Sequence, residues 1–329
     1  MRFVIFGAGA IGGVVGARLA QAGRDVVLIA RGAHYEAIRE RGLTIEDPHG
    51  ATVLRIRVAE NPGALSWTGE EVVMLTTKTQ DAGSALSALE AAAPPGTPVL
   101  CLQNGVESER LALRRFEHVY GAVVMVPAAH LEAGTVIAYG SLLTGTIDVG
   151  RYPSGVDERC EQVAQALTGA GFESAPHGEV MRAKYSKLVL NLANAVDAIC
   201  RPGPAADELA ERAREEGRTV LATAGIDFVD DEVSDIRARW ERWGVRDLAG
   251  RARTGSSTRQ SLARGTGAIE TDYLSGEIVL LGRLHGVPVP VNALLQRLGS
   301  RAARERWPPA GLTADEVLAQ LAGEAAITR

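Results

Sequence analysis

The sequence predicts an α/β protein with a doubly wound sheet in its first half and an all-helical second half. Short apolar runs of the kind that form buried parallel strands alternate with helical patterns up to about residue 170. A glycine-rich turn joins the first of these runs to the first helical pattern, and beyond residue 177 the pattern is helical throughout. We therefore expect one domain at 1–176 and a second domain at 177–329.

In the first domain, the apolar run 2–6 predicts a strand that ends at Gly7, and 10–22 predicts a helix that Gly23 would cap. Further strands are predicted at 25–30, 43–47, 52–58, 71–76, 97–102, 119–126, 134–140 and 144–149. Helices are predicted between them at 80–92, 105–115 and 155–168. Because 119–149 holds strand patterns without helices, we expect it to extend the same sheet with antiparallel strands.

The second domain is predicted to consist of helices at 178–200, 205–224, 230–243, 256–285, 290–299 and 313–323. Pro202, Gly203 and Pro204 separate the first two of these helices. Residues 244–256 contain three glycines and three arginines and are expected to form a loop.

Composition excludes several classes of protein. The 329 residues carry a formal net charge of −5, which argues against a nucleic-acid partner. No run of 18 apolar residues predicts a membrane span, so we expect no membrane partner. The three cysteines are far apart and the six histidines form no cluster. A reducing cytoplasmic location without a metal site is the expectation.

The glycine-rich turn reads Gly7-Ala8-Gly9-Ala10-Ile11-Gly12, which is the pattern G-x-G-x-x-G between a strand and a helix. Gly7 would permit the tight turn, Gly9 would let a pyrophosphate approach the backbone, and Gly12 would let the helix pack on the strand. The N–H groups at the helix start, including those of Ala10 and Ile11, would face the phosphates. The sequence thus predicts a Rossmann-type dinucleotide-binding domain.

The residue after the second strand indicates which dinucleotide is bound. NAD-binding domains usually carry an acidic residue at this place, where it binds the ribose hydroxyls. This chain has Ala30-Arg31-Gly32 instead, and the guanidinium of Arg31 can pair with a 2′-phosphate. We therefore expect NADP (NADPH), although Arg31 would also fit an ordinary solvent-exposed arginine.

Lysine is scarce in this chain. Of 35 basic residues only Lys78, Lys184 and Lys187 are lysines. Unlike arginine, lysine can release its proton at an accessible pH, so a retained lysine is a candidate for acid–base chemistry. Lys187 and Asn191 are four residues apart in a helical pattern and would share one face. Lys184 is expected to be a solvated helix residue or an ion-pair partner.

Several motifs, in this order along nearly the whole chain, resemble the ketopantoate reductase (2-dehydropantoate 2-reductase) family. They are the glycine turn, Thr77-Lys78, Gln103-Asn104-Gly105-Val106, Lys184-Tyr185-Ser186-Lys187-Leu188-Val189-Leu190-Asn191, Ser256-Ser257-Thr258-Arg259-Gln260, Glu270-Thr271-Asp272-Tyr273-Leu274-Ser275-Gly276 and His285-Gly286-Val287-Pro288-Val289-Pro290. The resemblance implies NADPH-dependent reduction of the 2-keto acid ketopantoate to pantoate, on the route to pantothenate.

The resemblance also implies roles for individual residues. Lys187 would be the general acid and Glu270 would position the lysine and the substrate. Asn191 and Ser257 would bind the substrate. Asn104 and Lys78 would lie near the nicotinamide ribose and the substrate. We also expect a homodimer to be possible.

The sequence departs from the family pattern on the substrate side. The family commonly has a second asparagine four residues beyond Asn191, where this chain has Ala195, with Asn194 one residue earlier. One extra residue also appears in 264–268, just before Glu270. These changes leave two alternatives open, namely the same hydride chemistry on a larger or less polar keto acid, and a dinucleotide-binding sensor without catalysis.

Overall fold

The computed structural model describes residues 1–229, 238, 241–248, 250–251, 253, 255–265 and 267–327. It divides into two compact units, Met1–Lys184 with Asp231–Arg253 and Tyr185–Asp230 with Thr254–Arg329. This division differs from the predicted domains 1–176 and 177–329, because the first unit extends further and also includes a later segment of the chain.

Strands and helices alternate in the first unit. Its strands are β1 (Arg2–Phe6), β2 (Asp25–Ile29), β3 (Leu43–Asp47), β4 (Gly50–Leu54), β5 (Arg57–Ala59), β6 (Glu71–Leu75), β7 (Val99–Cys101), β8 (Val119–Met125), β9 (Ala128–Glu132), β10 (Thr135–Ala138) and β11 (Thr146–Arg151). Its helices are α1 (Ala10–Gln21), α2 (Gly32–Arg41), α3 (Thr79–Glu90), α4 (Ser108–Leu113) and α5 (Glu158–Gly169), with a 3-10 turn at Pro62–Ala64. The sequence patterns did not predict α2.

The main sheet of the described residues has the strand order β11-β8-β7-β6-β1-β2-β5. Its strands run parallel, except that β11 is antiparallel to β8. One face packs against α1 and α5 through residues such as Ile5, and the other packs against α3 and α4 through Val4 and Phe6. The predicted doubly wound α/β fold is therefore confirmed.

A second sheet, with the order β4-β3-β10-β9, was not predicted. The predicted strand 52–58 is two strands, because β4 pairs with β3 while β5 joins the main sheet beside β2. The expected antiparallel extension by 119–149 is correct for β11, whereas β8 joins the main sheet parallel to β7, and β9 and β10 do not join that sheet. These two strands lie in the second sheet, where Val136 of β10 packs close to Gly13 of α1.

Packing explains why the first unit includes residues beyond 176. Val180 lies against Gly121 and Gly150 of β8 and β11. Trp243 is fully buried, and its carbonyl accepts hydrogen bonds from the N–H groups of Ser141 and Leu142. Helical periodicity does not indicate such long-range contacts, so the sequence placed both segments in the second domain.

The second unit is helical in its described part, as predicted, but two predicted helices are divided. Helix α6 (Val180–Asn191), which begins in the first unit, is separated from α7 (Ala193–Ile199) at Leu192, and α8 (Pro204–Thr223) follows. The remaining elements are α9 (Ser257–Ala263), a 3-10 turn (Glu270–Tyr273), α10 (Ser275–His285), α11 (Pro290–Arg304) and α12 (Ala314–Ile327). The predicted helix 256–285 is broken where Gly265 and Gly267 adopt φ of +63° and +83°.

The predicted helix at 230–243 lies mostly outside the described residues. Among the helices that are described, none combines the length and the apolar character needed to span a membrane.

Candidate functional site

Three predicted site residues follow the carboxyl ends of neighbouring strands in the first unit. Gly7 follows β1, Lys78 follows β6 and Asn104 follows β7. The register pairs Phe6 with Leu75 and Leu75 with Cys101, so the three strands end level with one another. Ligands of open α/β sheets bind outside this edge, which makes it the candidate dinucleotide site.

The glycine turn is held by close backbone packing. Gly7 has φ +114°, and a Cβ there would lie 2.8 Å from the backbone nitrogen of Thr77. A Cβ at Gly12 would lie 2.2 Å from the carbonyl oxygen of Gly7. The Thr76 hydroxyl donates a hydrogen bond of 2.8 Å to that same oxygen. The first and last glycines therefore have the packing roles that the motif predicts.

The surroundings of Gly9 fit a bound pyrophosphate. Gly9 precedes α1, and the Cβ position built on it has no heavy atom of the described residues within 4 Å, apart from its chain neighbours. The first turn of α1, which begins with Ala10 and Ile11, carries no acidic residue. Open space beside the N–H groups of a twelve-residue helix suits an anion.

Two unpartnered polar side chains at the same edge also fit a ligand. Thr77 Oγ1 is buried without a hydrogen-bond partner among the described residues. Gln103 is 5% exposed, and neither its amide nitrogen nor its amide oxygen has such a partner. Buried polar atoms in folded proteins are almost always paired, so these atoms have hydrogen-bonding capacity that the described residues do not use. Nothing in the sequence pattern marked Gln103 as a site residue, although it directly precedes Asn104.

His34 of α2 supports the glycine turn by contacting the carbonyl oxygen of Ala8, a role that sequence reasoning missed. Its Nε2 lies 2.7 Å from the carbonyl oxygen of Ala8, and the N–H of Gly134 donates to its Nδ1 at 2.9 Å. The ring centroid of His130 is 4.2 Å away. Burial, together with repulsion from His130, lowers the pKa of His34 to about 4 despite the hydrogen bond to Ala8. His34 is thus neutral at pH 7, with Nε2–H donating to Ala8.

This lowered pKa predicts a loss of stability in acid. Between about pH 6.5 and about pH 4 the unfolded chain binds a proton at His34 that the folded chain does not bind, so stability falls as pH falls. Because the ring keeps some contact with solvent, we expect a contribution of about 1 kcal/mol between about pH 7 and about pH 5. Denaturant unfolding of the wild type and His34→Gln at both pH values measures it. An equal pH dependence of the two proteins would contradict the assignment.

Arg31 immediately precedes α2 and is exposed. Its extended backbone, with φ −129°, continues from the end of β2 on the sheet edge that carries the glycine turn. No acidic residue lies in the first turn of α2. The local charge therefore suits a phosphate better than a pair of ribose hydroxyls.

Lys187 and Asn191 lie on α6, one helical turn apart, and both are partly buried. Asn191 Nδ2 is buried and has no hydrogen-bond partner among the described residues. An unpartnered amide donor one turn from an amine is an arrangement that can bind a polar molecule.

Ser257 is the first residue of α9 and is partly buried. The preceding Ser256 caps the helix through a bond from the N–H of Arg259 to its side chain. Asp197 of α7 accepts a hydrogen bond of 2.8 Å from the N–H of Ser256, and its Oδ1 lies 3.6 Å from Arg259 Nη1. Asp197 therefore fixes the start of α9, a positioning role that the sequence did not reveal.

Glu270 begins the 3-10 turn before α10 and is only 4% exposed. It interacts electrostatically with Arg264, the first residue of the segment 264–268 in which the sequence indicates one extra residue. Asp272 of the same turn accepts hydrogen bonds from Gln296 at 3.0 Å and from Ser300 at 3.3 Å. Asp272 thus holds the turn against α11.

Ala195 lies on α7, beyond the break at Leu192, and is 4% exposed in the core of the second unit. Asn194 is partly buried. The break means that the residue four positions beyond Asn191 no longer continues the same helix. The departure from the family pattern is therefore accompanied by apolar packing at this position.

A doubly wound parallel sheet with this glycine turn, followed by a helical unit with a partly buried lysine, defines a dinucleotide-dependent oxidoreductase. Residues 3–154 match the family described as Ketopantoate reductase PanE/ApbA, and residues 179–301 match the C-terminal part of the same family. The chain belongs to the ketopantoate reductase family.

Individual relatives agree with this result. The chain is 31% identical over 309 residues to a 2-dehydropantoate 2-reductase of Pyrococcus horikoshii, covering 91% of this chain and 96% of that protein. A PanE/ApbA family ketopantoate reductase of Ralstonia eutropha has a TM-score of 0.78 and 31% identity, covering 93% and 99%. D-mandelate dehydrogenase with NADH and anilino(oxo)acetate has a TM-score of 0.77 at 21% identity, covering 94% and 100%, and shows similarity of fold alone.

Proposed function

We propose that the protein catalyses the NADPH-dependent reduction of 2-dehydropantoate (ketopantoate) to pantoate, a step of pantothenate biosynthesis, with Lys187 as general acid. The observation that carries the proposal is the position of Lys187 one helical turn from Asn191, whose buried amide nitrogen has no partner among the described residues. Ketopantoate is also the substrate named in the descriptions of the relatives.

The chemistry requires a proton donor at the substrate oxygen. NADPH, when bound, supplies a hydride to the ketone carbon. The carbonyl oxygen then gains negative charge and takes a proton, which an ammonium group can supply while also stabilising that charge. Arginine would stabilise the charge but would not release the proton, which explains a lysine at 187 in an arginine-rich chain.

The other residues have binding roles in this proposal. Asn191, Ser257 and Asn104 would hold the keto acid, and Glu270 would orient Lys187 and the substrate. Gly7, Gly9, Ala10, Ile11 and Gly12 would bind the pyrophosphate, Arg31 the 2′-phosphate, and Lys78 and Asn104 the nicotinamide ribose. The cytoplasmic location and the homodimer remain predictions.

Asn191→Leu separates a binding role from a structural role. We expect the KM of the keto acid to rise about 3–10-fold because one hydrogen bond is lost. Thermal stability should stay equal or rise, since an apolar side chain of similar size replaces an unpartnered buried amide. Steady-state kinetics and thermal unfolding measure both quantities. Asn194→Leu is the matched control, and an unchanged KM in Asn191→Leu would contradict the binding role.

A panel of 2-keto acids tests the substrate assignment. NADPH oxidation is followed with ketopantoate, with larger keto acids and with less polar ones. The proposal predicts the highest kcat/KM for ketopantoate. Efficient turnover of another keto acid beside negligible turnover of ketopantoate would select the alternative that the buried Ala195 suggests. NADPH binding without oxidation by any keto acid would select the sensor alternative.

A further inference from the structure

Lys184 is a buried charge within the first unit. It was expected to be solvated or ion-paired, and its Nζ lies 2.7 Å from Glu109 Oε1 of α4. The two side chains are 2% and 0% exposed. Removing two charged side chains from water costs free energy. An ion pair buried this deeply needs either close geometry to offset that cost or a functional reason to be kept.

The ammonium group also bonds to two backbone carbonyls. Nζ donates to the carbonyl oxygen of Gln103 at 2.9 Å and to that of Ala122 at 3.4 Å. The ammonium group thus has two backbone carbonyls as hydrogen-bond acceptors, and the adjacent Glu109 carboxylate balances its charge. Lys184 therefore links α4, β8 and the turn that begins two residues after β7.

The carbonyl of Gln103 is the important contact for function. The next residue is Asn104, and the turn continues through Gly105, whose φ is +75°. The Gln103 amide is buried and unpartnered in the described part of the chain. The backbone of a turn suited to contact ligand is thus bonded to a buried ion pair.

We propose that the Lys184–Glu109 ion pair is a positioning device that holds the Gln103–Asn104 turn in its ligand-binding conformation. The proposal rests on the proposed function for its kinetic consequences. The compact ammonium group donates to two backbone carbonyls beside one carboxylate, whereas the planar and larger guanidinium does not match this geometry. This explains a second lysine that the chain has not replaced with arginine.

Three variants distinguish a role of the Lys184–Glu109 pair in positioning the Gln103–Asn104 turn from a contribution to protein stability alone. Lys184→Met and Glu109→Gln each leave one buried partner uncompensated, and we expect each to lower Tm by about 10 °C. The double variant Lys184→Met/Glu109→Gln removes both charges, so it should recover most of that loss. It still lacks the bond to the Gln103 carbonyl.

The double variant is then compared with the wild type by two readouts. Hydrogen–deuterium exchange of the peptide covering 101–107 should be about tenfold faster, without any ligand present. The kcat/KM for ketopantoate should fall about 10–100-fold, since a small misplacement of a binding turn has effects of this size. Lys184→Arg should show the same two changes although it retains the charge.

A matched control lies at the other end of the same sheet. Arg2 Nη1 and Glu71 Oε1 are 3.2 Å apart at the starts of β1 and β6, and Glu71 is 2% exposed on its side chain. Arg2→Met/Glu71→Gln should leave exchange of 101–107 and the kcat/KM at wild-type values. A Lys184→Met/Glu109→Gln protein with recovered Tm and wild-type exchange would overturn the proposal. Absence of ketopantoate turnover in the wild type would instead refute the proposed function, and the exchange measurement would still decide the role of the pair.

Discussion

Lys187→Ala is expected to lower kcat for ketopantoate reduction by about 10²–10⁴-fold, the usual contribution of a positioned acid. The reason is that the developing negative charge on the substrate oxygen loses both its proton donor and its stabilising cation. The dissociation constant of NADPH should stay within about twofold, because the dinucleotide residues assigned above belong to the first unit. Steady-state kinetics and fluorescence titration of NADPH measure the two effects separately.

Lys187→Arg is the matched variant, since it keeps the positive charge and removes an accessible proton. It should recover little of the lost kcat if proton donation dominates. Wild-type turnover in Lys187→Ala would contradict the role of Lys187. A parallel loss of kcat and of NADPH affinity would instead indicate a structural defect.

Arg31→Ala is expected to weaken NADPH binding by about 10–100-fold, which corresponds to one charge-assisted hydrogen bond to the 2′-phosphate. NADH lacks this phosphate, so its dissociation constant should change little. The variant should therefore lose discrimination between the two dinucleotides, as measured by titration of each. Arg31 is exposed, so the fold should tolerate the change.

Arg41 at the last turn of α2 provides a control on the same helix. Arg41→Ala also removes one positive charge from an exposed position, but from the opposite end of the helix. It should leave the affinities for both dinucleotides unchanged at moderate ionic strength. Equal weakening of NADPH and NADH by Arg31→Ala would refute the assignment to the 2′-phosphate.

Local patterns predicted the parts of the fold in which sequence neighbours interact. The strand–turn–helix from β1 to α1 follows from an apolar run and three glycines, and the structure has the close packing at Gly7 and Gly12 that the motif requires. Helical periodicity predicted the helical character of the second unit. It did not predict the helix breaks at Leu192 and at Gly265–Gly267, because backbone φ angles and tertiary packing determine where these helices end.

The sequence patterns did not predict contacts between segments that lie far apart along the chain. The parallel pairing of β10 with β3 and the burial of Trp243 in the first unit join segments about 90 or more residues apart. The same limitation applies to the candidate site. Lys184 and Glu109 are 75 residues apart, so the sequence left open a solvated lysine or an ion-pair partner, and it could not predict the partner or the burial of the pair.

A crystal structure of the complex with NADP⁺ and a 2-hydroxy acid product tests the central claim most directly. The distance from Lys187 Nζ to the hydroxyl oxygen at C2 of the product is the quantity to measure. We expect a hydrogen bond between these two atoms, with C2 facing the nicotinamide ring. A Lys187 side chain directed into solvent, with another group donating to the hydroxyl oxygen, would contradict the proposed mechanism.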